Sequence, residues 1–182
     1  MKYRPWVWVL SVFFLFQSKA MAQTPVEKPS SEVSLAEKNL NLGKQFLTEN
    51  QQKPDIHVLP NGLQYRVIKE GSGTPPTLTD FVTVNYRGTL IDGTEFDSSY
   101  THNTPATFAV NAVIPGWTEI LQLMKPGAKW VVYIPPALAY GQRGVGRLIG
   151  PNATLIFDIE LLSVKPVLDD HQEDLDDDYE DD

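Results

Sequence analysis

Apolar and polar residues alternate along this chain with two different periods. From Leu35 to about Gln52, Leu35, Leu42, Phe46 and Leu47 fall near helical spacing, with Leu40 beside the stripe. Ser34 stands as N-cap with Glu37 three residues on, and Pro54 follows, so the pattern predicts one helix over 35–53. Beyond it the period drops to two. Leu63, Tyr65 and Val67 share a face, as do Val82, Val84 and Tyr86. Asp92-Gly93 is a hairpin-turn pair leading into Thr94-Glu95-Phe96. Thr107–Val110, Ala128–Ile134 and Thr154–Val164 read as further strands. Pro115-Gly116 opens a short helix over 117–124, stopped by Pro126-Gly127. Five or six strands and one internal helix make an α+β fold: an antiparallel curved sheet wrapped around a short helix, preceded by an N-terminal helix.

The ends of the chain follow other rules. Lys2 and Arg4 precede a run of about 11 largely apolar residues, then Ala20-Met21-Ala22. That is a secretory leader, too short for the roughly 20 residues of a bilayer span. The expected organisation is a signal peptide over 1–22, a linker over 23–34, the helix over 35–53, a domain over 54–166 and an acidic tail over 167–182. The tail carries ten acids in fourteen residues from Asp169 to Asp182, so it repels itself and is expected to be disordered. Export points to the periplasm, with the cell surface or the medium as alternative destinations.

Charge and composition then exclude several chemistries. The formal charge is −8, and removing Lys2, Arg4 and Lys19 with the leader takes three more, to −11. No basic stripe is present to neutralise phosphates, which argues against nucleic acid. There is no cysteine, hence no thiolate nucleophile and no disulfide. His57, His102 and His171 stand outside ligand spacing, and the acidic tail lacks the glycine of a calcium loop, so no metal is expected. The glycine-rich run Gly141–Gly150 lacks a following Lys-Ser/Thr and reads as a mobile loop. An enzyme built from these residues would need neither cofactor nor covalent catalysis.

What remains is aromatic. In order along the chain come V-N-Y-R-G-T-L at Val84–Leu90, D-G-T-E-F-D-S-S at Asp92–Ser99, V-I-P-G-W at Val113–Trp117, A-Y-G at Ala139–Gly141 and T-L-I-F-D-I-E-L at Thr154–Leu161. Taken singly, each aromatic reads as core. Together they resemble the FKBP-type peptidyl-prolyl cis–trans isomerases across Asn61–Val164. The N-terminal helix and Leu59–Tyr65 look like the bacterial macrophage-infectivity-potentiator subgroup. The resemblance implies a pocket with Trp117 as floor and Tyr86, Phe96, Val113, Ile114, Tyr140, Ile149 and Phe157 as walls. Asp97 would be its buried or half-buried carboxylate. The Ile114 N–H and the Tyr140 hydroxyl would bind carbonyls. On the same ground, catalysis would rest on Tyr86, Phe96, Asp97, Trp117, Tyr140 and Phe157.

Three positions depart from the family pattern: His102 stands where many members carry an Arg, Ala106 replaces a wall aromatic, and Val145 replaces a loop His. The implied activity is isomerisation of Xaa-Pro bonds in unfolded or partly folded exported polypeptides, with macrolides such as rapamycin as ligands. A chaperone or binding module with incidental isomerase activity is the alternative. With about 18 helical residues ahead of the domain, a monomer is expected; the N-terminal helix would supply the contact in a dimer.

Overall fold

A computed structural model describes residues 34–167; the expected leader, most of the linker and the acidic tail from residue 168 on lie outside the described residues. Helix α1 spans Leu35–Asn50 and is capped by Ser34, whose Oγ accepts the Glu37 N–H at 3.2 Å. Seven strands follow: β1 His57–Val58, β2 Gln64–Lys69, β3 Phe81–Leu90, β4 Glu95–Ser98, β5 Ala106–Ala109, β6 Lys129–Ile134 and β7 Leu155–Lys165. Helix α2, Pro115–Leu121, lies between β5 and β6. Among the described residues no helix is long and apolar enough to cross a membrane.

The strands form one antiparallel sheet in the order β1-β2-β6-β7-β3-β4, with β5 also pairing β3. One edge of β3 is shared. Its first half pairs β5, with Val82 opposite Phe108. Its second half pairs β4, with Gly88 opposite Asp97. Both strands of this split edge were read from the sequence; the additional strand is β1, only two residues long.

The period-two reading of the inner face holds. Val82, Val84, Trp130, Val132, Leu155, Phe157 and Ile159 are buried there, and Leu63 joins them. Residues directly opposite on neighbouring strands share a face, so Tyr65 with Val132 and Val67 with Trp130 continue it on β2. Helix α2 fills the concavity with Trp117, Ile120 and Leu121. It begins two residues earlier than the sequence suggested, with Pro115 at its first turn, where a missing N–H costs nothing. Gly116 lets it approach β6: a Cβ there would lie 2.7 Å from Ile134 Cγ2.

Helix α1 departs from its expected apolar stripe. Leu35 and Leu42 are exposed, at 58% and 43%, while Gly43 and Asn50 are buried. The surface it meets is polar backbone. Asn39 Nδ2 donates to Pro151 O at 2.9 Å, and Asn152 Nδ2 donates to Ala36 O at 3.2 Å. Asn50 Nδ2 donates to Gln64 Oε1, and Gln64 Nε2 donates to Leu47 O, each at 2.9 Å. Gln64 lies on the outer face of β2 opposite Tyr133, whose ring meets Phe46 at 5.9 Å. The helix thus packs on its own domain through amides, one glycine and one aromatic contact.

Candidate active site

The site grows from the split edge of β3. Inward residues on β3 end at Tyr86 and Gly88. The absence of a side chain at Gly88 admits two rings: a Cβ there would lie 2.6 Å from Phe96 and 2.8 Å from Phe157. Phe96 on β4 and Phe157 on β7 therefore meet edge-on across Gly88, with centroids 5.5 Å apart and planes at 84°. Trp117, on the first turn of α2, lies beneath. Its ring meets those of Tyr86, Phe108 and Phe157 at 5.3, 5.7 and 5.3 Å, each nearly perpendicular. Edge-to-face pairs set the positive rim of one ring against the negative face of another. Trp117 is held by this packing alone, since its Nε1 has no hydrogen-bond partner among the described residues.

These rings bound a cavity of about 650 Å³. All nine residues singled out in the sequence line it: Tyr86, Phe96, Asp97, Val113, Ile114, Trp117, Tyr140, Ile149 and Phe157. Six further residues line it: Phe108, Ala112, Val145, Gly146, Arg147 and Leu148, of which only Val145 was marked in the sequence, as replacing a loop His. Phe108 supplies an aromatic wall from the strand on which Ala106 lacks one. Ala112 directly precedes the Val113–Trp117 motif, and the other four come from the segment 141–150. That segment was expected to be a mobile loop. It is a loop bridged by bonds from Val145 N–H to Ile149 O and from Asn152 N–H to Gly141 O, both 2.8 Å.

Polar groups are few and lie at the mouth. Tyr86 Oη donates to Asp97 Oδ2 at 2.6 Å, and the Ser98 N–H donates to Asp97 Oδ1 at 2.9 Å. Asp97 is exposed rather than buried or half-buried as expected. It sits on β4 at the sheet edge, where one side of the carboxylate meets solvent. His102 does not pair with it. The histidine is exposed and shares with Asp97, Glu95 and Thr101 a separate concavity of about 220 Å³. Burial pushes the Tyr86 phenol well above its ordinary value, and its bond to Asp97 adds to this. Burial also raises Tyr140, with the Asp97 charge contributing. Both phenols are therefore neutral donors at physiological pH. The Ile114 N–H and the Tyr140 hydroxyl enter no hydrogen bond among the described residues.

A concave aromatic cavity with two unused donors at its mouth, enclosed by a sheet curled on a short helix, suits an apolar ligand or a peptide. Comparison with known proteins makes this specific. The family described as FKBP-type peptidyl-prolyl cis–trans isomerase matches residues 72–162, and the domain amino-terminal to such isomerases matches residues 14–67. The chain is 54% identical over 150 residues to the outer membrane protein MIP of Legionella longbeachae, covering 82% of this chain and 63% of that one. It is 55% identical over 127 residues to the peptidyl-prolyl cis–trans isomerase Mip of Coxiella burnetii, covering 70% and 55%. A crystal structure of a peptidyl-prolyl cis–trans isomerase from Pseudomonas syringae superposes with a TM-score of 0.68 at 38% identity, covering 73% of this chain and 98% of that one. The chain belongs to the FKBP-type peptidyl-prolyl cis–trans isomerases, in the Mip-like subgroup. It spans roughly 55–63% of the length of these two curated relatives.

Proposed function

We propose that this chain catalyses cis–trans isomerisation of Xaa-Pro bonds in exported polypeptides and so assists their folding. The observation that carries this is the Trp117 floor bounded edge-on by Tyr86, Phe108 and Phe157. A flat indole face ringed by aromatic edges accepts a pyrrolidine ring and excludes water.

The chemistry needs little else. Amide rotation has a barrier of roughly 18–20 kcal/mol, and the cis and trans forms at proline differ by only about 0.5–1 kcal/mol. The planar amide is the more dipolar state, because resonance places negative charge on oxygen. Rotation removes that resonance. Water stabilises the planar state more than the twisted one, so a dry aromatic cavity lowers the barrier without nucleophile or metal. Every 1.4 kcal/mol of such differential stabilisation is about tenfold in rate. In this reading Trp117, Tyr86, Phe96 and Phe157 supply the dry enclosure. The Ile114 N–H and the Tyr140 hydroxyl orient carbonyls on either side of the proline, with Val113 and Ile149 completing the walls. Asp97, held by Tyr86, places negative charge at the mouth.

The leader-like first 22 residues support export, and the periplasm is the compartment this reading assigns. The same cavity suits macrolides such as rapamycin, whose pipecolyl ring resembles a bound proline. The chain acts as a monomer in this reading, since α1 spends its Asn39–Asn50 face on its own domain. The test is NMR exchange at a prolyl bond in a short peptide, with and without rapamycin. Acceleration at catalytic amounts of protein, abolished by stoichiometric rapamycin, is expected. Exchange at the uncatalysed rate would refute the proposal.

A further inference from the structure

Two ionised side chains line the cavity, Asp97 and Arg147. They are not equivalent. Asp97 already accepts from the Tyr86 hydroxyl and the Ser98 N–H. Arg147 has no carboxylate within ion-pair distance among the described residues, where the ion pair formed is Arg87 with Glu95. A guanidinium is always charged and offers a planar fork of donors. Here that fork is unused.

The backbone fixes where it stands. The Val145 N–H bond to Ile149 O closes an isolated bridge, leaving Gly146-Arg147-Leu148 as a three-residue tip. Gly144 and Gly146 have φ of +62° and +60°, a region that glycine occupies without strain. At Gly144 a Cβ would also lie 2.7 Å from the Gly150 carbonyl carbon. Val145 and Leu148 flank the arginine and are 46% and 52% exposed. The tip therefore presents one cation between two apolar side chains on the cavity wall.

We infer that Arg147 is a specificity-determining residue, favouring substrates with Asp or Glu beside the isomerised proline. The inference rests on the isomerase reading above. With proline on the Trp117 floor, an extended peptide advances about 3.3 Å per residue, so the nearest neighbours of the proline pass the cavity wall. A carboxylate there meets the unused fork in bidentate geometry. The rest of the molecule opposes this, because the formal charge of −8 repels acidic peptides. The preference is consequently short-range and depends on one side chain.

The experiment uses the full chain and two tetrapeptide series, with Glu, Gln or Lys placed immediately before or immediately after the proline. NMR exchange reads kcat/KM without a coupled protease. An exposed ion pair of this kind is worth about two- to fivefold, so in at least one series Glu should exceed Gln by that factor and Lys should fall below Gln. Arg147→Gln should bring the Glu/Gln ratio to one or below, Arg147→Glu should favour Lys, and Arg147→Lys should retain the acidic preference. A Glu/Gln ratio of one in both series, or one that Arg147→Gln leaves unchanged, overturns the inference while leaving the isomerase reading intact. If the wild type accelerates none of the peptides, that reading fails and the inference with it.

Discussion

The Tyr86 hydroxyl lies 2.6 Å from Oδ2 of Asp97, joining the buried inner face of β3 to the exposed edge strand β4 at the mouth of the cavity. The tyrosine is 9% exposed and the aspartate is solvent-accessible. Removing the donor by Tyr86→Phe keeps the ring against Trp117 and frees one carboxylate oxygen to solvent. Because that oxygen can be rehydrated, the stability loss should be about 0.5–1.5 kcal/mol. The expected larger effect is on kcat/KM for prolyl exchange, since the Asp97 charge would no longer be fixed at the mouth. Urea unfolding and exchange kinetics on the same variant separate the two effects.

The same pair sets an alkaline behaviour. Tyr86, Tyr133 and Tyr140 are all shifted upward, chiefly by burial. A phenol whose folded pKa exceeds its unfolded value of about 10 holds its proton more tightly in the native state. Its contribution to stability is complete below pH 10 and is lost as pH rises from there toward the folded pKa. Phenolate absorbance should show three tyrosines ionising late, together with alkaline unfolding. Tyr86→Phe should delete one late-titrating group.

Gly88 tests the aromatic wall from behind. A methyl at this position enters the space of Phe96 and Phe157, at 2.6 and 2.8 Å. Overpacking of this kind costs about 1–3 kcal/mol. Gly88→Ala should therefore fold with reduced stability, and its turnover should fall further than the stability change alone requires, because both displaced rings line the cavity. Turnover equal to wild type would place the chemistry elsewhere.

The contact of α1 with the domain gives a prediction of sign. An exposed helical Gly→Ala substitution stabilises by about 1 kcal/mol. At Gly43 the added Cβ would overlap Thr154 Oγ1, so Gly43→Ala should destabilise instead. That hydroxyl is buried without a hydrogen-bond partner among the described residues. Thr154→Ala should then cost little, and the double variant should recover most of the loss. Chemical denaturation of the four proteins measures the coupling.

How far the sequence discloses this molecule differs by element. Alternation located β2 and β3, and Val82, Val84 and Tyr86 lie inward as read; β6 is buried on both faces from Trp130 to Ile134 and was legible only as an apolar run. The aromatic site was legible only collectively: Trp117 alone reads as core, and its role comes from rings at matching intervals around it. The span and cap of α1 were legible, but its contact face was not, because periodicity counts apolar residues, whereas the surface the helix meets offers the carbonyl of Pro151 and the amide of Gln64. Asn39, Gly43 and Asn50 satisfy that surface and Leu42 does not. The backbone closure of the segment 141–150 was illegible for a related reason. It comes from the Val145 N–H bond to Ile149 O and from glycines at positive φ, neither of which leaves an apolar pattern. Arg147 was hidden with it.

The central claim is that the Trp117 floor lowers the barrier to prolyl rotation. Its most direct measurement is NMR exchange at a single Xaa-Pro bond, comparing wild type with Trp117→Leu, a variant that keeps apolar bulk but removes the flat indole face. Native circular dichroism with a loss of at least about tenfold in kcat/KM, or about 1.4 kcal/mol of transition-state stabilisation, is the expected result. A folded Trp117→Leu protein with undiminished turnover would contradict the account.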